Sequence, residues 1–128
     1  MKNKKLNKMN KSIWLKEPEG HDFPAAFDYL LLVCKPAEAK AIVEKLKKAE
    51  TIQKKAKDIL RASELPLLTK ENVHVKENIK KVKNGNKMSP VLLVVINGKL
   101  IIADGYHRCI SIYFLSEDLS IPCRLVHL

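Results

Sequence analysis

The stretch 100–109 constrains the fold more than any other part of the chain, because an apolar strand pattern there gives way at once to a helical pattern. Residues 100–103 read as a strand, Asp104 and Gly105 as a turn, and the residues from Tyr106 onward as a helix. The first backbone N–H groups of such a helix have no internal acceptor and carry the positive end of its dipole. The junction therefore predicts a site for an anion, with phosphate as the favoured ligand.

The side chains at this junction suit the same ligand. Arg108 offers a forked donor that matches phosphate oxygens, and His107 offers a donor or a titratable base. Backbone amides from Gly105 onward would add neutral donors, while Tyr106 either stacks on a base or faces the core. The alternative is an ordinary turn in which Asp104 caps the helix and the other side chains are satisfied locally.

The flanking segments predict a small sheet. Apolar strands at 91–96 and 99–103 are joined by Asn97 and Gly98, which supply the positive φ angles of a tight hairpin. A helix at 73–84 comes before them, preceded by a polar capping turn at 69–72, and a last strand at 121–126 follows. Pro122 indicates that this last strand lies at a sheet edge or begins there.

The N-terminal half reads as helical. Asp22 is expected to cap a helix at 25–34, Pro36 opens a second helix that runs to about residue 49, and a third helical segment covers 52–63. The prediction is an α+β protein, one compact domain overall, with three parts. They are a flexible basic arm (1–11), a helical subdomain (12–66) and a core with a small mixed sheet (67–128).

The order helix, Ser-Pro-Val strand, Asn-Gly turn, strand, Asp-Gly-Tyr-His-Arg, helix and Ile-Pro-Cys strand resembles the core of the ParB/sulfiredoxin superfamily over residues 67–126. The resemblance implies a fold of that type and a nucleoside triphosphate, ATP or CTP, bound with Mg²⁺ at the turn. Gly105, His107 and Arg108 match the phosphate-binding motif. Tyr106 stands where sulfiredoxins carry a catalytic cysteine, and a phenol cannot replace a thiolate, so sulfiredoxin activity is not expected.

The turn is also similar to the Asp-Gly-His-His-Arg motif of ParB-like free-serine kinases, from which it differs by one residue. That similarity implies catalytic roles for Asp104, which can bind Mg²⁺ or accept a proton, and for His107. Sulfiredoxins hold the nucleotide with a lysine of the preceding helix, which makes Lys80 and Lys81 candidates here. Ser89 is a further candidate donor. Alternatively, the lysines form a solvated helix face and Ser89 only shapes the start of its strand.

The predicted function is therefore the binding of a nucleotide or another phosphorylated small molecule. ATP-dependent transfer to a small acceptor, or hydrolysis of a nucleoside triphosphate, is the reaction that the resemblance implies, and whether the protein is an enzyme stays open at this point. One alternative is a DNA-associated, ParB-like module of the partition or nuclease type. A second is a non-catalytic protein that binds a partner.

Charge and cysteine content limit the partners, metal sites and cellular locations that can be expected. The chain has a net charge of +10, and part of it comes from a lysine-rich N-terminal segment. This segment can contact nucleic acid or serve as a solubilising tail. The three cysteines lack CxxC spacing and the four histidines are dispersed, so no intrinsic metal site is predicted and a reducing cytoplasm is the expected location. No secretory signal, membrane helix, Walker P-loop or Rossmann glycine motif is found, and no membrane partner is expected.

Overall fold

The computed structural model describes residues 13–128, and the predicted basic arm at 1–11 lies outside the described residues. The described part confirms the α+β class, with a four-stranded mixed sheet. Its helices are α1 (Asp22–Leu30), α2 (Pro36–Lys48), α3 (Ala56–Ser63), α4 (Val73–Lys83) and α5 (Tyr106–Leu115). Its strands are β1 (Ile52–Lys55), β2 (Val91–Ile96), β3 (Lys99–Asp104) and β4 (Ser120–His127).

The sheet has the order β1-β4-β2-β3. Strands β2 and β4 run parallel, while the β1–β4 and β2–β3 pairs are antiparallel. The predicted hairpin is confirmed, since Asn97 and Gly98 join β2 to β3 with φ angles of 52° and 76°. The predicted capping turn before α4 is confirmed too, because the Asn72 carboxamide oxygen accepts from the backbone N–H groups of His74 and Val75.

Helices cover both faces of the sheet, which explains the near-continuous apolar run of β2. Alternate β2 side chains point to opposite faces, so Val91 and Leu93 pack with α3, α4 and α5. Leu92 and Val94 pack on the other side with α1 and α2. The N-terminal layer that the sequence predicts is therefore made by α1 and α2.

The prediction of a helix along the whole of segment 52–63 is wrong. Its first four residues form β1, which pairs with β4, and only Ala56–Ser63 is helical. All four β1 residues are exposed, so no apolar alternation marks this strand in the sequence. The backbone of β4 supplies its partners instead. The half predicted to be purely helical thus contributes an edge strand to the sheet.

Two further expectations are corrected. Strand β4 lies between β1 and β2 rather than at an edge, and Pro122 is tolerated because the pairing of β4 with β2 begins only at Cys123. Asp22 does not cap α1: the N-cap is His21, which makes no side-chain cap, and helix α1 ends at Leu30, four residues earlier than predicted.

Hydrogen bonds also join segments that are far apart in the sequence. The backbone of Met88 accepts from the N–H of Leu15 at 2.8 Å and donates to the carbonyl of Ile13 at 2.7 Å. Arg124 of β4 donates to the carbonyls of Leu46 and Lys47 at 3.1 and 2.9 Å, and so satisfies the last turn of α2. Within the described residues, no helix has the length and apolar character needed to cross a membrane.

Candidate functional site

Gly105 makes the turn from β3 into α5 possible. Its φ is +113°, and a Cβ added to it would lie 2.4 Å from Cγ1 of Val91. Any side chain there would collide with the start of β2 as well as strain the backbone. The first helical hydrogen bond of α5 runs from the N–H of Cys109 to the carbonyl of Gly105 at 3.0 Å. The N–H groups of residues 106–108 consequently have no acceptor within the helix.

Arg108 of α5 is held beside this turn by the end of β3. Its Nη2 donates to Oδ2 of Asp104 at 2.9 Å and lies 3.4 Å from the carbonyl oxygen of Pro90. Both charged side chains are 18% exposed. Among the described residues the buried Nε of Arg108 has no hydrogen-bond partner. Asp104 therefore acts as the counterion of Arg108, and the helix cap of the alternative interpretation is not formed.

A second carboxyl group approaches Asp104 from the N-terminal layer. Asp22 of α1 is 2% exposed, accepts the N–H of Glu19 at 2.9 Å, and lies within hydrogen-bonding reach of the Asp104 carboxyl. Burial and Asp22 raise the pKa of Asp104 above its ordinary value, although Arg108 opposes that shift. The α1 layer thus reaches the turn and weakens the acidity of Asp104.

Two histidines face each other across the helix starts. The ring centroids of His74 and His107 are 4.7 Å apart, and each histidine is the second residue of its helix, α4 or α5. The buried Ser111 hydroxyl lies 2.7 Å from the carbonyl oxygen of His107 and 3.3 Å from that of Val75, which fixes the two helices together. Burial and the neighbouring His74 lower the pKa of His107, so its neutral form is favoured.

Of the two orientations predicted for Tyr106, the structure shows the one that faces the core. Its hydroxyl donates to the carbonyl of Pro66, and its ring packs on the core cluster beneath α5. Burial raises the pKa of this phenol. The ring centroid also lies 5.3 Å from that of His107, so Tyr106 supports one wall of the histidine pair.

These groups converge on one cleft of about 310 Å³ between the start of α5 and one face of α4. Of the predicted site residues, Ser89, Lys81 and the junction at 104–108 line it, whereas Lys80 is not among its lining residues. Within the described part of the chain, the cleft is lined by Glu19, His21, His74, Glu77, Asn78, Lys81, Lys87, Met88, Ser89, Asp104, Gly105, Tyr106, His107 and Arg108.

His74, Glu19 and His21 line the cleft but were not predicted from the sequence. His74 lies seven residues, or about two helical turns, before the predicted Lys81, so this spacing places both on one face of α4. That periodicity was a usable signal. Glu19 and His21 come from the segment before α1, and no local pattern in the sequence relates them to a turn more than 80 residues later.

The described residues contain no group of three His, Cys, Asp or Glu side chains arranged to hold a metal ion. The cysteines close to the site offer no nucleophile. Burial raises the pKa of the Cys109 thiol to about 12 and that of Cys123 to about 11. Cys109 is a fully buried core residue.

Replacing Gly105 with alanine is expected to destabilise the protein by at least about 3 kcal/mol, because backbone strain and the collision with Val91 add together. Gly98→Ala is the matched control: its φ is also positive, at +76°, but its Cβ would meet no atom within 4 Å. It should cost only about 1–2 kcal/mol. Urea unfolding measures both, and equal losses would contradict the close approach.

The raised pKa of Asp104 predicts a pH-dependent effect of Asp104→Asn. The folded protein holds the proton on Asp104 more tightly than the unfolded chain, so this group's stabilising contribution is present at low pH and lost as pH rises past its ordinary value of 3.8. The variant has no ionisable group at this position. Its free energy of unfolding should therefore rise relative to that of the wild type between about pH 4 and 7.

Asp118→Asn is the control of opposite sign. Its exposed carboxyl accepts from Lys57, which lowers its pKa, so this variant should lose stability relative to the wild type as pH rises. Urea titrations at several pH values test both. Two variants that follow the same trend would mean that Arg108, not burial, governs Asp104.

No protein-family model matches the chain, and comparisons with curated proteins and with solved structures found no significant similarity.

Proposed function

We propose that this protein binds a phosphorylated small molecule, a nucleotide among them, in the cleft at residues 104–108. The observation that supports the proposal is the convergence of three kinds of phosphate donor on one cavity. They are the uncapped start of α5, the fixed guanidinium of Arg108, and the side chains of His107 and Lys81.

The unmet donor of Arg108 supports the same ligand. A buried N–H without an acceptor costs about 1–3 kcal/mol. A ligand oxygen at the floor of the cleft would remove that cost if it reached Nε directly or through a bridging water. Because Asp104 already holds Nη2, the guanidinium is oriented before the ligand arrives.

The size of the cleft indicates which part of a ligand it encloses. At about 310 Å³ it is near the lower end of the roughly 300–1,000 Å³ range of small-molecule sites. It therefore suits a compact phosphorylated molecule or the phosphate portion of a nucleotide whose base lies outside. Kinase or hydrolase chemistry would need an acceptor or a water positioned at Asp104, and the ParB-like resemblance is the reason to test for it.

A thermal-shift screen of nucleotides and phosphorylated metabolites, with and without Mg²⁺, tests the proposal. A ligand at 100 times its Kd should stabilise the fold by about 2.7 kcal/mol and raise Tm by about 10 °C. Lys81→Met should weaken the affinity of the best ligand about fivefold to tenfold, since it removes one phosphate donor from the cleft.

Lys83→Met is the matched control, because Lys83 lies on the same helix, carries the same charge and does not line the cleft. Its effect on Kd should stay below about twofold. Equal effects of the two substitutions would assign binding to general attraction by the basic protein. Silence of the whole panel would refute a phosphate site.

A further inference from the structure

Among residues 13–128, the charged side chains that line the cleft cancel when all of them are ionised. Lys81, Lys87 and Arg108 supply three positive charges, and Glu19, Glu77 and Asp104 supply three negative ones. Tyr106 stays neutral because its hydroxyl is bound to Pro66 and burial raises its pKa. While Asp104 is ionised, the histidines therefore decide whether this described part of the cleft carries net positive charge.

The three histidines of the cleft are not equivalent. The side chain of His21 is 74% exposed, and its ring nitrogens lie 3.7 Å from Glu19 and 3.5 Å from Asp22. A positive charge on His21 would therefore pair with those carboxylates and not with a ligand. His74 and His107 instead contact each other, at 4.7 Å between ring centroids. Each also occupies the first turn of a helix, where the dipole favours an anion and disfavours a cation.

Resting on the proposed function, we propose that His74 and His107 bind a dianionic tetrahedral oxyanion, such as the terminal phosphate of a phosphomonoester, as a protonated pair. An anion that accepts hydrogen bonds from both rings would offset the repulsion of two imidazolium groups and the unfavourable helix dipoles. Without the anion His107 is a poor proton acceptor, because burial and the neighbouring His74 lower its pKa. Binding would consequently take up protons from solution.

The same charge balance predicts the ligand class. A phosphomonoester dianion is attracted by the protonated pair about twice as strongly as a phosphodiester monoanion at the same distance. Without the protonated pair, the cancelled charges of the cleft would give neither anion an advantage. The inference thus assigns His74, on α4, a role in selecting terminal phosphates over diesters.

Sulfate is the probe that tests proton uptake, because its charge stays at −2 throughout the range from pH 6 to pH 8. Its association constant with the full chain should fall about a hundredfold from pH 7 to pH 8, the limiting slope for uptake of two protons, one by each ring. Calorimetry in two buffers of different ionisation enthalpy should show the same proton count. Dimethyl phosphate, a monoanion, should bind at least about tenfold more weakly than sulfate at pH 6.

The double variant His74→Gln/His107→Gln should bind sulfate weakly, with less than about a twofold change across this pH range. His127→Gln is the matched control, since His127 is exposed at the end of β4 and does not line the cleft, and it should retain the wild-type slope. His74→Gln alone should lower sulfate affinity about tenfold at pH 6, while its urea midpoint stays near that of the wild type.

The outcomes separate the two proposals. Sulfate affinity that is independent of pH in the wild type, or a slope that survives in the double variant, would overturn the histidine-pair inference and leave a phosphate site standing. If sulfate, phosphate and pyrophosphate all fail to bind at pH 6, the proposed function itself is wrong.

Discussion

The site depends on the contact between Gly105 and the start of β2. Because no Cβ intervenes, β3 can end against Val91 and the chain can enter α5 at once, with φ at +113°. This single approach sets where α5 begins and which of its N–H groups stay unpaired. It also places Arg108 one helical turn from Asp104, so that the strand supplies the counterion that orients the guanidinium. A displaced helix start would separate all of these groups.

Burial gives the site its electrostatic character. Asp104 and Asp22 are brought together by the packing of α1 against β3, and the resulting rise in the pKa of Asp104 limits how fully it neutralises Arg108. On the opposite wall, the packing of α4 against α5 brings two histidines into contact. One wall therefore carries a weakened ion pair, and the other carries two histidines in contact, of which His107 has a lowered pKa. In the proposed mode of binding, such a cleft gains positive charge as an anion and protons enter together.

The elements that the sequence predicts well are those fixed by neighbouring residues. Asn97 and Gly98 define the hairpin, Asn72 caps α4, and Gly105 marks the start of α5, since each needs only local backbone geometry. Strand β1 was missed because its four exposed residues join the sheet through the backbone of β4, which lies about 70 residues away. Long-range packing likewise brings Asp22 and His21 to the site.

Mapping an anion onto the backbone is the most direct test of the claim that the 104–108 junction is an anion site. Titration of the ¹⁵N-labelled protein with pyrophosphate at pH 6.5 reports every backbone amide in one experiment. The account predicts that the largest amide shift changes fall on residues 105–108, with a second group at His74 and its neighbours on α4. Changes centred on the lysine-rich end of α2 or on β1, or no changes at all, would contradict it.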